Sequence, residues 1–265
     1  MKYIFSTGGG VQSTACLVLA AQGRIPYRTF VFSNVGDKAE SPATIQYINE
    51  IAKPYAKKHG IEWVDVAWVD RQGRQRDLYE QQVNDGTNRI QLPAFLTGGM
   101  PMKRICTTDY KIKPIAKWIK NNAPNCTLGK GISTDEPHRA TPSRESDGYT
   151  SAYPLIELGI SRSDCLLIAK DAGLPQPPKS SCWFCPFKTT DQWVTLRREH
   201  PELFEKSVNL EQVLQKRRAN LGKDAVYLSG IGGRKQVNLA DVIPEQLGLF
   251  GWEPEEGCET GYCMT

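Results

Sequence analysis

The sequence predicts an α/β protein with a doubly wound parallel sheet, helices on both faces of that sheet, and a small helical appendage at the C-terminal end. Segments of strand and helix character alternate through the first 70 residues, a pattern typical of parallel strands joined by crossover helices. A glycine cluster directly follows the first strand, and the stretch beyond residue 189 is helical and charged. We therefore expect domains at residues 1–188 and 189–265.

The first strand is Tyr3–Phe5, and the apolar run Ala15–Ala21 that follows the glycines is rich in good helix formers. Ser41-Pro42 marks a helix start, because proline is tolerated in the first turn. The other predicted elements are strands at 29–33, 61–69 and 126–132, helices at 44–59 (with a kink or break at Pro54), 107–121, 161–172 (capped by Ser161 or Ser163) and 190–218, an extended piece at 153–159, and a hairpin and turn at 225–243.

Composition indicates a soluble protein with a substantial core. Of its 265 residues, 40% are hydrophobic and 23% charged, and no apolar run approaches the roughly 20 residues that span a bilayer. The N-terminus leads straight into a strand, unlike a signal peptide, so we expect a cytoplasmic protein with no membrane partner. The net charge of +4 permits a nucleic-acid partner without favouring one.

The glycines Gly8, Gly9 and Gly10 lie between a predicted strand and a predicted helix. Glycine lets the backbone approach a ligand closely, and the N–H groups at a helix N-terminus favour an anion. Ser13 and Thr14 add hydroxyl donors. The loop predicts a phosphate or pyrophosphate cradle, with a plain glycine-rich turn as the alternative. It has neither the Walker lysine nor the dinucleotide spacing.

Eight cysteines in a chain expected to be cytosolic favour metal ligands or reactive thiols over disulfides. Cys182 and Cys185 form a Cys-x-x-Cys pair that can bind a metal or act as a redox dithiol. Cys106 precedes a predicted helix, where the helix dipole favours thiolate. These three suit either a [4Fe–4S] cluster or part of a zinc site. Cys258 and Cys263 are open to three interpretations: completing a metal site, acting as mobile thiols, or having no role.

Asp135, Glu136 and Arg139 follow a predicted strand and should face the same sheet edge as the glycine loop. The acids can hold Mg²⁺ or polarise a nucleophile, and the arginine can hold phosphate. The alternative is a salt-bridged turn. Lys111 can reach phosphates from the helix after Cys106, or it can be an ordinary surface lysine.

Taken in chain order, the motifs resemble the PAPS reductase-like branch of the PP-loop ATP pyrophosphatases, also called adenine nucleotide α-hydrolase-like proteins. The resemblance covers roughly residues 1–190 and is carried by four segments: Gly8–Ser13, Phe32–Asp37, Cys106–Pro114 and Gly131–Arg139. It implies a nucleotide site made by Ser6, Thr7, Gly8, Gly9, Gly10, Gln12, Ser13, Thr14, Phe32 and Asn34. It further implies catalysis by Asp135, Glu136, Arg139 and Lys111, and a metal on Cys106, Cys182 and Cys185.

Two features depart from the family pattern. Gln12 stands where the family loop usually has aspartate, which is reminiscent of sulfonucleotide reductases. The tail carries Cys258 and Cys263 but no histidine, unlike the nucleophile motif of those reductases.

The resemblance implies an ATP-pyrophosphatase-type enzyme that adenylates an acceptor and transfers sulfur to nucleic acid. Its cofactors would be ATP, Mg²⁺ and a [4Fe–4S] cluster, with zinc as the alternative, and its partners a nucleic-acid acceptor and a sulfur donor or thiol reductant. The polyanion would lie on the arginine-rich segment 70–105, which is either a mobile lid or a solvated insertion, and on the basic helix at 197–218. Two other functions stay open: a sulfonucleotide reductase, and a nucleotide-binding module with structural zinc. Whether the chain forms a homodimer is also open.

Overall fold

The computed structural model describes residues 2–84, 88–144 and 147–243. These residues group into two compact units. The first contains residues 2–76 and 109–181, and the second contains residues 77–108 together with 182–243. The predicted domain boundary at 188 stays a prediction. The structure adds residues 77–108 to the C-terminal unit, which nothing in their sequence pattern predicted.

A parallel sheet of five described strands forms the centre of the first unit, in the order β3-β2-β1-β5-β6. Its strands are β1 Tyr3–Thr7, β2 Thr29–Asn34, β3 Glu62–Ala67, β5 Cys126–Lys130 and β6 Tyr149–Ala152. Phe5 of β1 pairs with Phe30 of β2 on one side and with Gly129 of β5 on the other. The sheet grows outward from β1, so the loops after β1, β2 and β5 meet at one edge.

Helices cover both faces of this sheet. They are α1 Val11–Ala21, α2 Pro42–Tyr47, α3 Lys53–Lys58, α6 Lys113–Asn122, α7 Pro154–Glu157 and α8 Arg162–Asp171. Alternate strand residues point to opposite faces. Phe5 and Phe30 pack with α1 and α8 on one face, whereas Ile4 and Val31 pack with α6 on the other. The predicted doubly wound α/β fold is therefore confirmed.

Two helices of this unit contain a proline directly after a π-helical turn. The turn Ile48–Ala52 connects α2 to α3, and Pro54 follows it, while the turn Thr108–Ile112 leads into α6 and Pro114. Proline has no N–H and crowds the preceding turn of a helix, and a π-helical turn interrupts the regular hydrogen-bond ladder. A kink or break was predicted at Pro54. The structure has a π-helical turn just before this residue, and the helix continues as α3.

The second unit is mostly helical. Its elements are α4 Leu78–Asn84, β4 Phe95–Leu96, α5 Ile105–Thr107, α9 Thr190–Glu199, α10 Pro201–Asn220, β7 Val226–Tyr227, α11 Gly230–Lys235 and α12 Leu239–Val242. β4 and β7 form a short antiparallel pair. Trp193 of α9 and Phe204 of α10 are buried and meet edge to face. The helical C-terminal appendage is confirmed.

Two local predictions are wrong. Residues 153–159 are not extended, because Pro154 begins the short helix α7 and the strand precedes it. Residues 225–243 are not a hairpin, since β7 pairs with the distant β4 and two short helices follow. The segment 70–105, expected to be either a mobile lid or a solvated insertion, contains α4 and buries Leu78, Ile90 and Leu92.

Within the described ranges, no helix is both long and apolar enough to cross a membrane.

Candidate functional site

The loop between β1 and α1 shapes a site for an anion. The Gly8 N–H donates to Ser13 Oγ at 3.0 Å, and the Thr14 N–H donates to the Gly10 carbonyl at 2.9 Å as α1 begins. No side chain caps this helix, and its first turn contains no acidic residue. The positive end of the helix dipole is therefore not offset locally, which favours binding of phosphate.

Gly9 is required by its conformation and its surroundings, and Gly10 lies close to a neighbouring chain segment. Gly9 has φ +72°, and a Cβ there would lie 2.6 Å from Ile48 Cδ1 and 2.8 Å from Ile48 Cγ1. A Cβ on Gly10 would lie 2.8 Å from Ser180 Oγ. Glycine at both positions lets the loop lie directly on the helix and chain segment behind it.

A cavity of about 40 Å³ opens beside this loop, inside the first unit. It has room for a few water molecules or one small oxyanion group. Its lining brings together six residues predicted for the site, with three others: Ser6, Thr7, Gly8, Ser13, Phe32 and Lys111, and Ser33, Ile115 and Gly131. Hydroxyl-bearing residues, a glycine and a lysine therefore meet at the carboxyl ends of β1 and β2.

Lys111 has a buried acidic neighbour. Its Nζ lies 3.8 Å from Glu40 Oε1, and Glu40 is only 3% exposed. Burial raises the pKa of the Glu40 carboxyl, and the nearby Lys111 ammonium opposes that rise. Among the described residues, Glu40 Oε2 has no hydrogen-bond partner. A negative charge on Glu40 would hold the Lys111 ammonium beside the cavity.

Gln12 links the loop to the segment after β5. Its Nε2 donates to Glu136 Oε1 at 3.2 Å, and its Oε1 accepts from Arg162 Nη1 at 3.1 Å. Arg139 Nη1 donates to the other Glu136 oxygen. The four side chains form a continuous chain, Arg162–Gln12–Glu136–Arg139. Arg139 Nη2 is buried and has no hydrogen-bond partner among the described residues.

Asp135 supports the fold around the start of α8. Its Oδ2 accepts from the Ser133 hydroxyl at 3.0 Å and from the Arg162 backbone N–H. Both donors bond one oxygen of a carboxylate that was predicted to hold Mg²⁺ or polarise a nucleophile. Ser161 caps the same helix through a capping box with Asp164, as the sequence predicted.

Asn34 shapes the loop after β2. Its Oδ1 accepts from the Gly36 N–H at 2.9 Å, and its Nδ2 donates to Asp37 Oδ1 at 2.7 Å. It does not line the cavity described above, and neither do Gly9, Gly10, Gln12 and Thr14. Gly9 and Gly10 form the loop itself, Gln12 and Thr14 belong to the first turn of α1, and Asn34 shapes the loop after β2.

Sequence reasoning assigned no site role to Ser33, Glu40, Ile115, Gly131 and Arg162. Arg162 stands on α8, far along the chain from Gln12, and nothing in its own segment marks it. Ser33 lies inside an apolar strand, where its hydroxyl donates to the Tyr110 carbonyl at 2.6 Å. A serine within an otherwise apolar strand, just before its carboxyl end, is a signal that could have identified Ser33.

The three cysteines predicted to bind a metal all belong to the second unit, and all are partly exposed. The Cys185 N–H donates to the Cys182 carbonyl at 3.2 Å, and the intervening Trp183 and Phe184 are buried. The Cys106 N–H donates to the Gln91 carbonyl at 2.8 Å.

Cys16, Cys126 and Cys165 are instead buried, and burial raises the pKa of each thiol, that of Cys165 to about 12. Cys16 and Cys165 are core residues, as predicted. Exposure thus separates the three candidate ligands from these three thiols. Cys258 and Cys263 lie outside the described residues.

Thiolate donors suit an iron–sulfur cluster or zinc. However, in residues 2–84, 88–144 and 147–243, no three Cys, His, Asp or Glu side chains converge on a metal position. The predicted metal site therefore rests on donor chemistry and exposure.

Several arginines of the basic helical stretch 197–218 have partners inside the second unit. Arg197 donates to the Ile243 carbonyl and lies over the Phe204 ring, and Arg218 Nε donates to the Asp224 carbonyl at 2.7 Å. Arg198 pairs with Glu199 at 2.8 Å. These contacts leave less of that face available to a polyanion than the charge pattern predicted.

The chain matches no protein-family model and no curated protein at a significant level. Among solved structures it is similar to phosphoadenylyl-sulfate (PAPS) reductase from Candida auris in a phosphate complex, with 12% identity, a TM-score of 0.43, and 67% of this chain and 75% of that chain covered. It is also similar to the U34-tRNA thiolase NcsA from Methanococcus maripaludis with its [4Fe-4S] cluster, with 14% identity, a TM-score of 0.45, and 97% and 84% covered. At these values neither likeness carries a functional argument, and the chain's own residues have to supply one.

Proposed function

We propose that the chain is an ATP-pyrophosphatase-type enzyme that binds an adenine nucleotide after β1 and adenylates an acceptor, releasing pyrophosphate. The cavity lined by Ser6, Thr7, Gly8, Ser13 and Lys111 is the observation that carries this proposal. Its hydroxyl and ammonium groups are donors of the kind that bind a phosphate group. Phe32 and Asn34 are proposed for the adenine side, at the end of the neighbouring strand.

Each residue has a task in this proposal. Lys111 supplies positive charge where the phosphates lie, and Glu40 holds it there. The N–H groups at the start of α1 stabilise negative charge that develops as pyrophosphate leaves. Glu136 and Arg139 belong to the neighbouring loop, where Arg139 still has a buried nitrogen without a hydrogen-bond partner among the described residues. That nitrogen can donate to the acceptor or to a phosphate oxygen.

The described residues do not fit a protein-held Mg²⁺ at this loop. Glu136 is engaged by Gln12 and Arg139, and Asp135 by Ser133 and the α8 backbone. Mg²⁺ carried by the nucleotide's own phosphates is compatible with the proposal, but no step here depends on it.

We further propose that the activated acceptor receives sulfur and that Cys106, Cys182 and Cys185 bind a [4Fe–4S] cluster, with zinc as the alternative. A cluster held by three thiolates leaves one iron open, where it can bind sulfur. The exposure of these thiols supports their availability as ligands. The proposed acceptor is a nucleic acid, and a sulfur donor or thiol reductant is the second partner. A cytoplasmic setting suits reduced thiols.

A sulfonucleotide reductase is the second candidate, and Gln12 favours it. Where the PP-loop pattern has aspartate, this chain has an amide committed to Glu136 and Arg162. A reductase releases sulfite with a thiol reductant and forms no pyrophosphate, so product analysis separates the two functions.

The decisive experiment uses full-length protein purified without oxygen. Iron, zinc and acid-labile sulfide are measured, and then pyrophosphate from ATP plus bulk tRNA and sulfite from PAPS plus a thiol reductant. About four irons and four sulfides per chain with pyrophosphate release support the proposal. Sulfite release without pyrophosphate replaces it with the reductase. One zinc without sulfide removes the cluster.

The Cys182→Ala variant tests the ligand assignment. We expect it to lose the cluster, while Cys126→Ala, which removes a buried thiol of the first unit, retains iron and sulfide. A full cluster in Cys182→Ala would contradict the assignment.

A further inference from the structure

Gln12 has a side chain that satisfies both of its neighbours. An amide accepts through Oε1 and donates through Nε2, and here Arg162 needs an acceptor while Glu136 needs a donor. A carboxylate at this position would accept from Arg162 but would face the Glu136 carboxylate at about 3 Å, where like charges repel. A cationic side chain would reverse the conflict and repel Arg162.

The chain Arg162–Gln12–Glu136–Arg139 also fixes the charge beside the loop. Two guanidinium groups, the Glu136 carboxylate and the neutral amide sum to +1, and the adjacent Asp135 carboxylate, which accepts from the Arg162 N–H, brings the local sum to zero. An aspartate at position 12 would make that sum negative next to the proposed anion site. A divalent cation bound between two carboxylates would then be needed to restore the attraction.

We propose that Gln12 is a neutral bridge, held by Arg162, that makes nucleotide binding at this loop independent of a divalent cation. The inference rests on the proposed nucleotide site and specifies the ligand that the site takes: the anionic nucleotide itself, with no metal bridging it to residue 12. Arg162 is a positioning residue, because its guanidinium contacts Gln12 and it does not itself line the cavity.

The first test measures ATP binding by isothermal titration calorimetry, once with EDTA and once with excess Mg²⁺. We expect the two dissociation constants of the unmodified protein to agree within about threefold. For Gln12→Glu we expect binding at least about tenfold weaker in EDTA, with recovery in Mg²⁺, because a metal can bridge its carboxylate to Glu136. If the unmodified protein binds ATP about tenfold more weakly in EDTA than in Mg²⁺, the inference is wrong.

Arg162→Ala tests the positioning role. It should weaken ATP binding similarly in both buffers, since it releases Gln12 without adding a carboxylate. The matched control is Lys170→Ala, which removes an exposed cation from the same helix. Equal weakening in Lys170→Ala would show a general charge effect and overturn the role of Arg162.

A stability cycle keeps the inference testable when ATP is not the ligand. Gln12→Glu alone should lower the melting temperature by a few degrees. The double variant Gln12→Glu, Glu136→Gln restores one donor and one acceptor at the contact and should recover most of that loss. Absence of ATP binding in both buffers would refute the proposed function, whereas additive melting shifts in the cycle would refute the bridge.

Discussion

Replacing Gly9 with alanine tests whether the loop geometry described above exists. Gly9 has φ +72°, which costs an alanine about 1 kcal/mol relative to glycine. The new Cβ would also lie 2.6 Å and 2.8 Å from two side-chain carbons of Ile48 and 3.3 Å from Thr44 Cγ2. Crowding of this kind costs about 1–3 kcal/mol more. We therefore expect Gly9→Ala to lower the free energy of unfolding by about 2–4 kcal/mol.

Gly23 provides the matched control. It has φ +74°, nearly the same conformation, but no atom lies within 4 Å of where its Cβ would be. Gly23→Ala should therefore cost only the backbone contribution of about 1 kcal/mol. The difference between the two variants, measured by urea unfolding followed through tryptophan fluorescence, isolates the crowding against Ile48.

A double variant refines the test. Ile48→Ala removes both crowding carbons and costs about 2–5 kcal/mol by itself because Ile48 is buried. Combined with Gly9→Ala, it should cost clearly less than the sum, since the new methyl group occupies vacated space. Equal costs for Gly9→Ala and Gly23→Ala, or strict additivity in the double variant, would refute the packing of this loop on α2 and the π-helical turn.

Two further predictions concern charged groups in different units. Lys111→Ala should weaken ATP binding, measured by calorimetry, about tenfold or more. The control Lys117→Ala, on the exposed side of α6, should leave the affinity unchanged. Equal affinities of the two variants would show that Lys111 does not belong to the site. Burial raises the pKa of Glu211 to about 7 although its carboxylate accepts the Leu228 and Leu239 N–H groups. The folded state thus binds this proton more tightly than the unfolded chain, so the free energy of unfolding should fall as pH rises from 4.5 to 7, by up to about 3 kcal/mol. In Glu211→Gln, this decrease in the free energy of unfolding should be smaller. If urea unfolding of the variant keeps the same pH dependence, the raised pKa of Glu211 is not its cause.

Four of the five described strands of the sheet could be predicted because each is a local, largely apolar run, whereas β6, with the sequence Tyr-Thr-Ser-Ala, gives no such signal. The segments Phe30–Phe32 and 61–69 can be recognised as strands from their own apolar residues, without knowledge of the strands that pair with them. The failures share a cause. Val226–Tyr227 pairs with Phe95–Leu96, more than a hundred residues earlier, so its neighbours in sequence show no hairpin partner. Tertiary pairing of this kind overrides local pattern.

The candidate site could be predicted only in part, for a related reason. A glycine loop after a strand is a local signal. Lys111 was identified by its own segment, Cys106–Pro114, which resembles a family motif. Asp135 shows the limit: its position after β5 correctly indicates the sheet edge, but its two donors come from Ser133 and the start of α8. A carboxylate's role depends on those donors, which the sequence around it does not show.

The role of Gln12 likewise depends on neighbours from distant parts of the chain, Glu136 and Arg162. Judged against the pattern that the sequence resembles, an amide in place of aspartate is reminiscent of sulfonucleotide reductases. The sheet order adds to this interpretation, because β5 pairs directly with β1 and brings Glu136 beside the glycine loop, while α8 brings Arg162 to the other side. With an acid on one side and an arginine on the other, a neutral group that both donates and accepts is the residue these neighbours select. The departure is therefore matched to its surroundings, and under the proposed function it determines which counter-charge accompanies an anion at the loop.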